Sequence, residues 1–218
     1  VHNEAKKYTK EGKKIVLVGH EGHQEVIGTT GQAEMELVDD RKDSDRPNWP
    51  ADTEVAVLTQ TTLSVNDTAK AVARIQKQFP NAVVRNDICY ATTNRQAAAT
   101  ELADLTELVL VIGAQNSSNC NRLKDVAINK GVPAYLINGP EELDVSWLDG
   151  VEKIGITSGA STPEKQVKAV IEAIAPDNIF RVGPGEETTT FTIPRNLRNL
   201  VSDGTRQNKE DLIIDEDY

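Results

Sequence analysis

Aromatic residues make up only 4% of this 218-residue chain, so a core must be assembled from Val, Ile, Leu and Ala. Cysteine is scarcer still. Cys89 and Cys120 are the two in the sequence, too few for a disulfide framework, which favours a reducing intracellular setting. No apolar run approaches the length that spans a bilayer and no secretory signal pattern opens the chain, so we expect a cytoplasmic, bacterial-type protein without a membrane partner. Positive charge is outnumbered, 24 Lys and Arg against 34 Asp and Glu, for a formal charge of -10. No basic block interrupts this, which argues against nucleic acid as a partner. Two nucleotide signatures are also missing. Without Gly-x-x-x-x-Gly-Lys-Ser/Thr a P-loop is disfavoured, and without Gly-x-Gly-x-x-Gly a nicotinamide site has no support.

What the chain does have is a repeated alternation of strands and helices. Ile15-Val16-Leu17-Val18 and Leu108-Val109-Leu110-Val111-Ile112 are apolar at every position, the pattern of strands buried on both faces. The pattern predicts strands at Lys14–Val18, Glu34–Val38, Glu54–Leu58, Ala82–Arg85, Leu108–Gly113, Ala134–Ile137 and Lys153–Ile156. Helices are expected at Val1–Lys10, Gln24–Thr30, from Ser64 to the stop at Pro80, and at Ala91–Leu105, Ser118–Lys130 and Glu141–Leu148. Ser64 and Asp67 form a variant capping box, and Ala69, Val72, Ile75 and Phe79 define the buried face of that helix. Thr162 is expected to cap a last helix with Pro163 at its first position and Val167, Val170, Ile171 and Ile174 as its buried stripe. Helices of this length between strands imply parallel βαβ units. The expected fold is α/β, in repeated three-layer βαβ lobes with mostly parallel sheets. A middle lobe covers residues 1–85, a last lobe 86–175, and a strand segment (Phe191–Ile193) with an acidic tail (Ser202–Tyr218) covers 176–218.

The chemistry lies in polar runs that follow the strands. These are Gly19-His20-Glu21-Gly22-His23-Gln24-Glu25, Thr59-Gln60-Thr61-Thr62, Asn116-Ser117-Ser118-Asn119 and Ser158-Gly159-Ala160-Ser161, with Asn86 to Gln96 supplying Cys89. Loops after parallel strands gather along one edge, where ligands bind. His20, His23 and Glu25 could be metal ligands, a pair in which His23 contacts an anion while Glu25 delivers a proton, or two loop histidines beside a surface acid. Ser117, Ser118 and Asn119 precede a helix whose free N–H groups suit an anion, although a serine there is equally an ordinary cap. An acidic chain with no Lys/Arg clamp must bind a diphosphate through neutral donors and helix dipoles. Cys89 could be a nucleophile or a metal ligand, and one thiol cannot by itself hold an iron–sulfur cluster.

Taken together, five blocks resemble the LytB/IspH-type 4-hydroxy-3-methylbut-2-enyl diphosphate reductase family of iron–sulfur enzymes. They are Gly19 to Val26, Thr59-Gln60-Thr61-Thr62-Leu63-Ser64-Val65, Asp87 to Gln96, Gly113 to Asn119 and Thr157 to Ser161, and their order and spacing hold over roughly residues 1 to 175. The resemblance implies α/β lobes around a central cluster and substrate site. The implied reaction is reductive loss of the substrate hydroxyl with two electrons and protons, giving isopentenyl and dimethylallyl diphosphates in the non-mevalonate isoprenoid pathway. By motif position it makes Cys89 a ligand of a 4Fe-4S cluster and Glu25 the proton donor, with Thr61 near the substrate hydroxyl. His23, Ser117, Ser118, Asn119 and Ser161 become diphosphate-binding residues, and Thr92 joins the proton network. The partners implied are a small diphosphate and an electron donor such as ferredoxin or flavodoxin.

Against the family pattern, this chain lacks the N-terminal lobe, with two further ligand cysteines and another diphosphate-binding histidine. Val1 falls just after the second of those cysteines, and Cys120 lies in the diphosphate loop rather than at a ligand position. The expectation is therefore an incomplete chain that holds one of three protein ligands and is inactive alone. Two rivals stand beside it: a non-catalytic α/β module that binds phosphorylated metabolites, and an enzyme using Cys89 as nucleophile with His23 as base.

Overall fold

The computed structural model describes residues 1–42 and 45–182, which fall within one compact unit, Val1–Pro184. The expected strand at Phe191–Ile193 and the acidic tail lie outside the described residues.

The first half runs α1 (His2–Lys10), β1 (Lys14–Val18), α2 (Gln24–Thr30), β2 (Met35–Val38), β3 (Val55–Thr59), α3 (Val65–Gln78) and β4 (Val83–Val84). The second runs α4 (Tyr90–Leu105), β5 (Leu108–Ile112), α5 (Ser118–Asn129), β6 (Ala134–Ile137), β7 (Ile154–Ser158) and α6 (Glu164–Ile174). Two sheets result, ordered β2-β1-β3-β4 and β6-β5-β7, and every pairing is parallel.

Alternation along the central strands makes each sheet the middle of three layers, because successive side chains face opposite sides. In β1, Val16 and Val18 pack with Ala71 and Ile75 of α3, whereas Ile15 and Leu17 pack with Ala5 and Tyr8 of α1 and Val26 of α2. In β5, Val109 and Val111 meet Ala99 and Ala103 of α4 and Leu123 and Ala127 of α5, while Leu108, Leu110 and Ile112 meet Val170 of α6. This is the α/β three-layer architecture expected from the sequence.

Several local expectations are corrected. The buried face of α3 is Thr68, Ala71 and Ile75, at spacings of three and four, and Ala69 points to solvent. The helix expected at Glu141–Leu148 is instead two short 3-10 turns, Pro140–Glu142 and Val145–Leu148, the second capped by the Asp144 side chain. Thr162 does not cap α6. Its hydroxyl donates to the Ile112 carbonyl (2.9 Å), so Pro163 takes the N-cap position and the helix opens at Glu164. Strand β7 runs on to Ser158 because that residue pairs with Ile112.

Candidate functional site

Register brings the functional loops together. Val18 pairs with both Val38 and Thr59, so β1, β2 and β3 end level, and the loops opening at Gly19, Asp39 and Gln60 leave the sheet side by side. Ile112 pairs with Ile137 and Ser158, so the loops opening at Gly113, Asn138 and Gly159 do the same on the second sheet. In a parallel sheet this is the ligand-binding edge.

On the first sheet the β1 loop turns at Gly22, whose φ of +81° is disfavoured for any residue with a Cβ. His23 then caps α2, its Nδ1 accepting from the Glu25 backbone N–H at 3.3 Å. With Nδ1 accepting, neutral His23 carries its proton on Nε2 and can donate it outward. Glu25, in the first turn of α2, reaches across to the β3 loop. Its carboxylate accepts the Thr61 N–H (3.0 and 3.2 Å to the two oxygens) and the Thr61 hydroxyl (2.9 Å). The Thr61 carbonyl in turn accepts the Cys89 N–H at 3.0 Å. Thr61 is therefore the joint that brings Glu25 and Cys89 to one place.

Cys89 is the N-cap of α4, but its side chain makes no capping bond and its thiol is exposed. Thr92 follows in the first turn of α4 and is buried. Below them, Gln96 anchors α4 to the segment between β3 and α3, donating to the Leu63 carbonyl (2.8 Å) and accepting the Val65 N–H (3.1 Å). Asp87 is tied to Thr59, whose hydroxyl accepts its backbone N–H at 2.9 Å. Burial and the neighbouring Glu4 carboxyl push Asp87 up to about 6. Glu4, hydrogen-bonded to Asp87 and paired with Arg85 at 3.1 Å, is held below the ordinary range.

On the second sheet Ser117 caps α5, its Oγ accepting from the Cys120 N–H at 3.3 Å. Ser118 reaches back to the loop after β3, its Oγ lying 3.0 Å from Thr62 Oγ1. Asn119 is buried, with both Oδ1 and Nδ2 lacking a hydrogen-bond partner. Two donors and an acceptor withheld from water in this way cost stability, and they are groups that a ligand could satisfy. The Cys120 thiol is wedged against the bare Cα positions of Gly113 and Gly159, where a Cβ would stand 2.4 Å from Sγ in each case. That contact holds the β7 loop against the start of α5, and a Cβ at Gly159 would also lie 3.9 Å from Asn119 Nδ2. Ser161 is exposed in the same β7 loop.

Thus Glu25, Thr61 and Cys89 meet around one joint. Ser117, Ser118 and Asn119 open α5, reached from the loop after β3 through Thr62, and His23 starts the helix that carries Glu25. No direct bond joins the side chains of Thr92 or Ser161 to the others among the described residues. Sequence reasoning passed over Gln60, Thr62 and Asp40. Gln60 and Thr62 stand inside a polar run singled out above, while Asp40 lies between two strands with no motif to mark it. It is in fact buried and accepts the His20 ring at 2.7 Å. His20, Asp39 and Asp40 place ligand-type atoms within 4.8 Å of one another. Asp39 is already engaged by the Arg41 fork (2.8 and 2.6 Å), which draws its carboxyl down to about 2. We read this group as an ionic anchor for the His loop.

Fold and site together define a parallel α/β protein whose strand-end loops unite a free thiol, a carboxylate and a helix N-terminus suited to an anion. The sequence profile of the family described as LytB protein matches residues 1–175, and the chain belongs to that family. It is 45% identical over 208 residues to the 4-hydroxy-3-methylbut-2-enyl diphosphate reductase of Glaesserella parasuis, covering 91% of this chain and 66% of that protein. The enzyme of the same name from Azotobacter vinelandii is 42% identical over 214 residues, covering 93% of this chain and 68% of the relative. The solved E-1-hydroxy-2-methyl-but-2-enyl-4-diphosphate reductase of Plasmodium falciparum superposes with a TM-score of 0.85 at 32% identity, covering 94% of this chain and 67% of that one. The chain thus spans about two thirds of the length of these proteins, just under that share for the first relative. No helix among the described residues is long and apolar enough to cross a membrane.

Proposed function

We propose that this chain supplies the diphosphate-binding edge, the proton donor and one cluster ligand of a 4-hydroxy-3-methylbut-2-enyl diphosphate reductase. In this reading residues 1–85 and 86–175 are two of its lobes. The observation that carries the reading is Asn119, whose buried and unpartnered amide lies at the N-terminus of α5 beside the Ser117 and Ser118 hydroxyls. A helix N-terminus with converging neutral donors is what a chain of formal charge -10 needs to hold a diphosphate. His23 Nε2 and the Ser161 hydroxyl add donors from the neighbouring loops.

The reaction is a two-electron reductive loss of a hydroxyl. Once protonated, Glu25 can reverse its 2.9 Å bond with the Thr61 hydroxyl and donate to it, so that Thr61 hands its own proton to a leaving hydroxide, and Thr92 is assigned to the same proton network. A 4Fe-4S cluster, when bound, supplies the electrons. The fit of this chain to such a cluster is one thiolate. Cys89 is exposed and unbonded, whereas Cys120 is buried between two glycines, so the remaining ligands must come from outside these residues. The electrons are expected from a small carrier of the ferredoxin or flavodoxin kind, in a cytoplasmic setting.

The test compares two ligands that differ in the presence of the diphosphate group. A hydroxyl or amide bonded to a phosphate oxygen contributes about 1.5–3 kcal/mol, so Ser117→Ala and Asn119→Ala should each weaken binding of the substrate diphosphate by about tenfold or more. Binding of the corresponding alcohol should barely change. Equal losses for both ligands in calorimetry would mean that these residues serve only the helix end.

A further inference from the structure

The hydrogen bonds that cross from His20 toward Ser118 have a direction, and one fixed donor sets it as far as Thr62. The His20 backbone N–H can only donate, and it meets Gln60 Oε1 at 3.0 Å. The Gln60 carboxamide is therefore oriented with Nε2 toward Thr62 Oγ1, at 2.9 Å. An amide nitrogen accepts nothing, so the Thr62 hydroxyl must be the acceptor in that bond. Either hydroxyl could donate in the 3.0 Å contact between Thr62 and Ser118, and among the described residues the Ser118 oxygen is the acceptor within reach of the Thr62 hydrogen, which favours Thr62 as the donor there. Ser118, accepting from Thr62, keeps its hydrogen free. Gln60 is fully buried, so water does not compete for its amide, and bonds in such a chain polarise one another in the same sense. The far end is anchored as well, by the 2.7 Å contact between the His20 ring and the buried Asp40 carboxylate.

We propose that Thr62 is a positioning residue for the anion-binding edge. Its hydroxyl accepts from Gln60 and donates to Ser118, so that the Ser118 hydroxyl is presented to a ligand as a donor. This deepens the diphosphate reading and rests on it. The consequence is selectivity: a site whose serine is obliged to donate prefers an acceptor-only group, such as an ionised phosphoryl oxygen, over a neutral alcohol. The same chain ties the β3 loop of one sheet to the start of α5 beside the other.

Thr62→Val and Thr62→Ser separate this role from mere packing, because valine keeps the shape while serine keeps the hydroxyl. Thr62 is half-buried, and thermal unfolding verifies that both variants fold. Two measurements are made on each: calorimetric binding of inorganic pyrophosphate, and the amide resonances of Ser118 and Asn119 without ligand. The valine variant should bind pyrophosphate about tenfold more weakly and shift both resonances, while the serine variant stays within about twofold of the parent and leaves them in place. Parental affinity in Thr62→Val, or unmoved resonances there, overturns the proposal. If the parent binds no pyrophosphate but the resonances move in valine and return in serine, the Thr62–Ser118 coupling is supported and the diphosphate reading is what falls.

Discussion

The Glu25 carboxylate grips Thr61 twice, accepting its backbone N–H and its hydroxyl, although the two residues stand 36 positions apart in sequence. One belongs to the helix after β1 and the other to the loop after β3. Because the Thr61 carbonyl also holds the Cys89 N–H, this single residue carries the geometry from the acid to the thiol. A carboxylate can accept both Thr61 hydrogens, whereas a carboxamide offers one acceptor atom and turns a donor toward the other. In the protein as its gene encodes it, the proposed role predicts that Glu25→Gln lowers turnover by about a hundredfold or more while the cluster absorption and diphosphate binding persist. Turnover near the parent level rejects Glu25 as proton donor, and loss of the cluster absorption makes its role structural.

The wedge formed by Cys120 yields a stability prediction. A methyl group at Gly159 would stand 2.4 Å from Sγ, too close for any folded arrangement without movement of the loop. Gly159→Ala should destabilise the protein by roughly 1–3 kcal/mol in chemical denaturation, as overpacked sites do. Combining it with Cys120→Ala removes the clashing sulfur, so the double variant should be more stable than the sum of the single effects. Additive effects would show that the thiol is not what confines the loop.

The pH dependence of stability follows from Asp87. Its carboxyl is raised in the folded state to about 6 by burial and by Glu4, above the ordinary 3.8. A group raised in this way favours the fold most when protonated, below 3.8, and that contribution is lost as the pH climbs through about 6. Asp87→Asn keeps the side-chain shape without the charge. Its unfolding free energy relative to the parent should therefore improve from about pH 4 to about pH 6 and level off above that. A difference that stays flat over that interval would remove Asp87 as the titrating group.

The layers and most strand positions were legible because they follow from two periods, two residues for a strand face and 3.6 for a helix. The misreadings have local causes. Ala69 and Val72 share a helical spacing with Ile75 and Phe79, but the packed stripe is rotated by one position and runs through Thr68, Ala71 and Ile75. Thr162 looked like a cap because sequence cannot show that its hydroxyl is spent on Ile112, a strand 50 residues away. For the site, the polar runs and their residues could be read directly, since loops after parallel strands share an edge. What could not be read was which residues touch. Gln60 and Thr62 matter because of bonds to His20 and Ser118, at separations of 40 and 56 residues, and no local signal encodes those meetings.

The most direct test of the account is anaerobic turnover by the protein as its gene encodes it, reconstituted with iron and sulfide. Parent, Cys89→Ser and Cys120→Ser are assayed with 4-hydroxy-3-methylbut-2-enyl diphosphate and a chemical reductant. The parent and Cys120→Ser should convert it to isopentenyl and dimethylallyl diphosphates. Cys89→Ser should lose both the bound iron and the reaction. A parent that forms neither product, or a Cys89→Ser variant that keeps its iron and its turnover, would contradict the assignment.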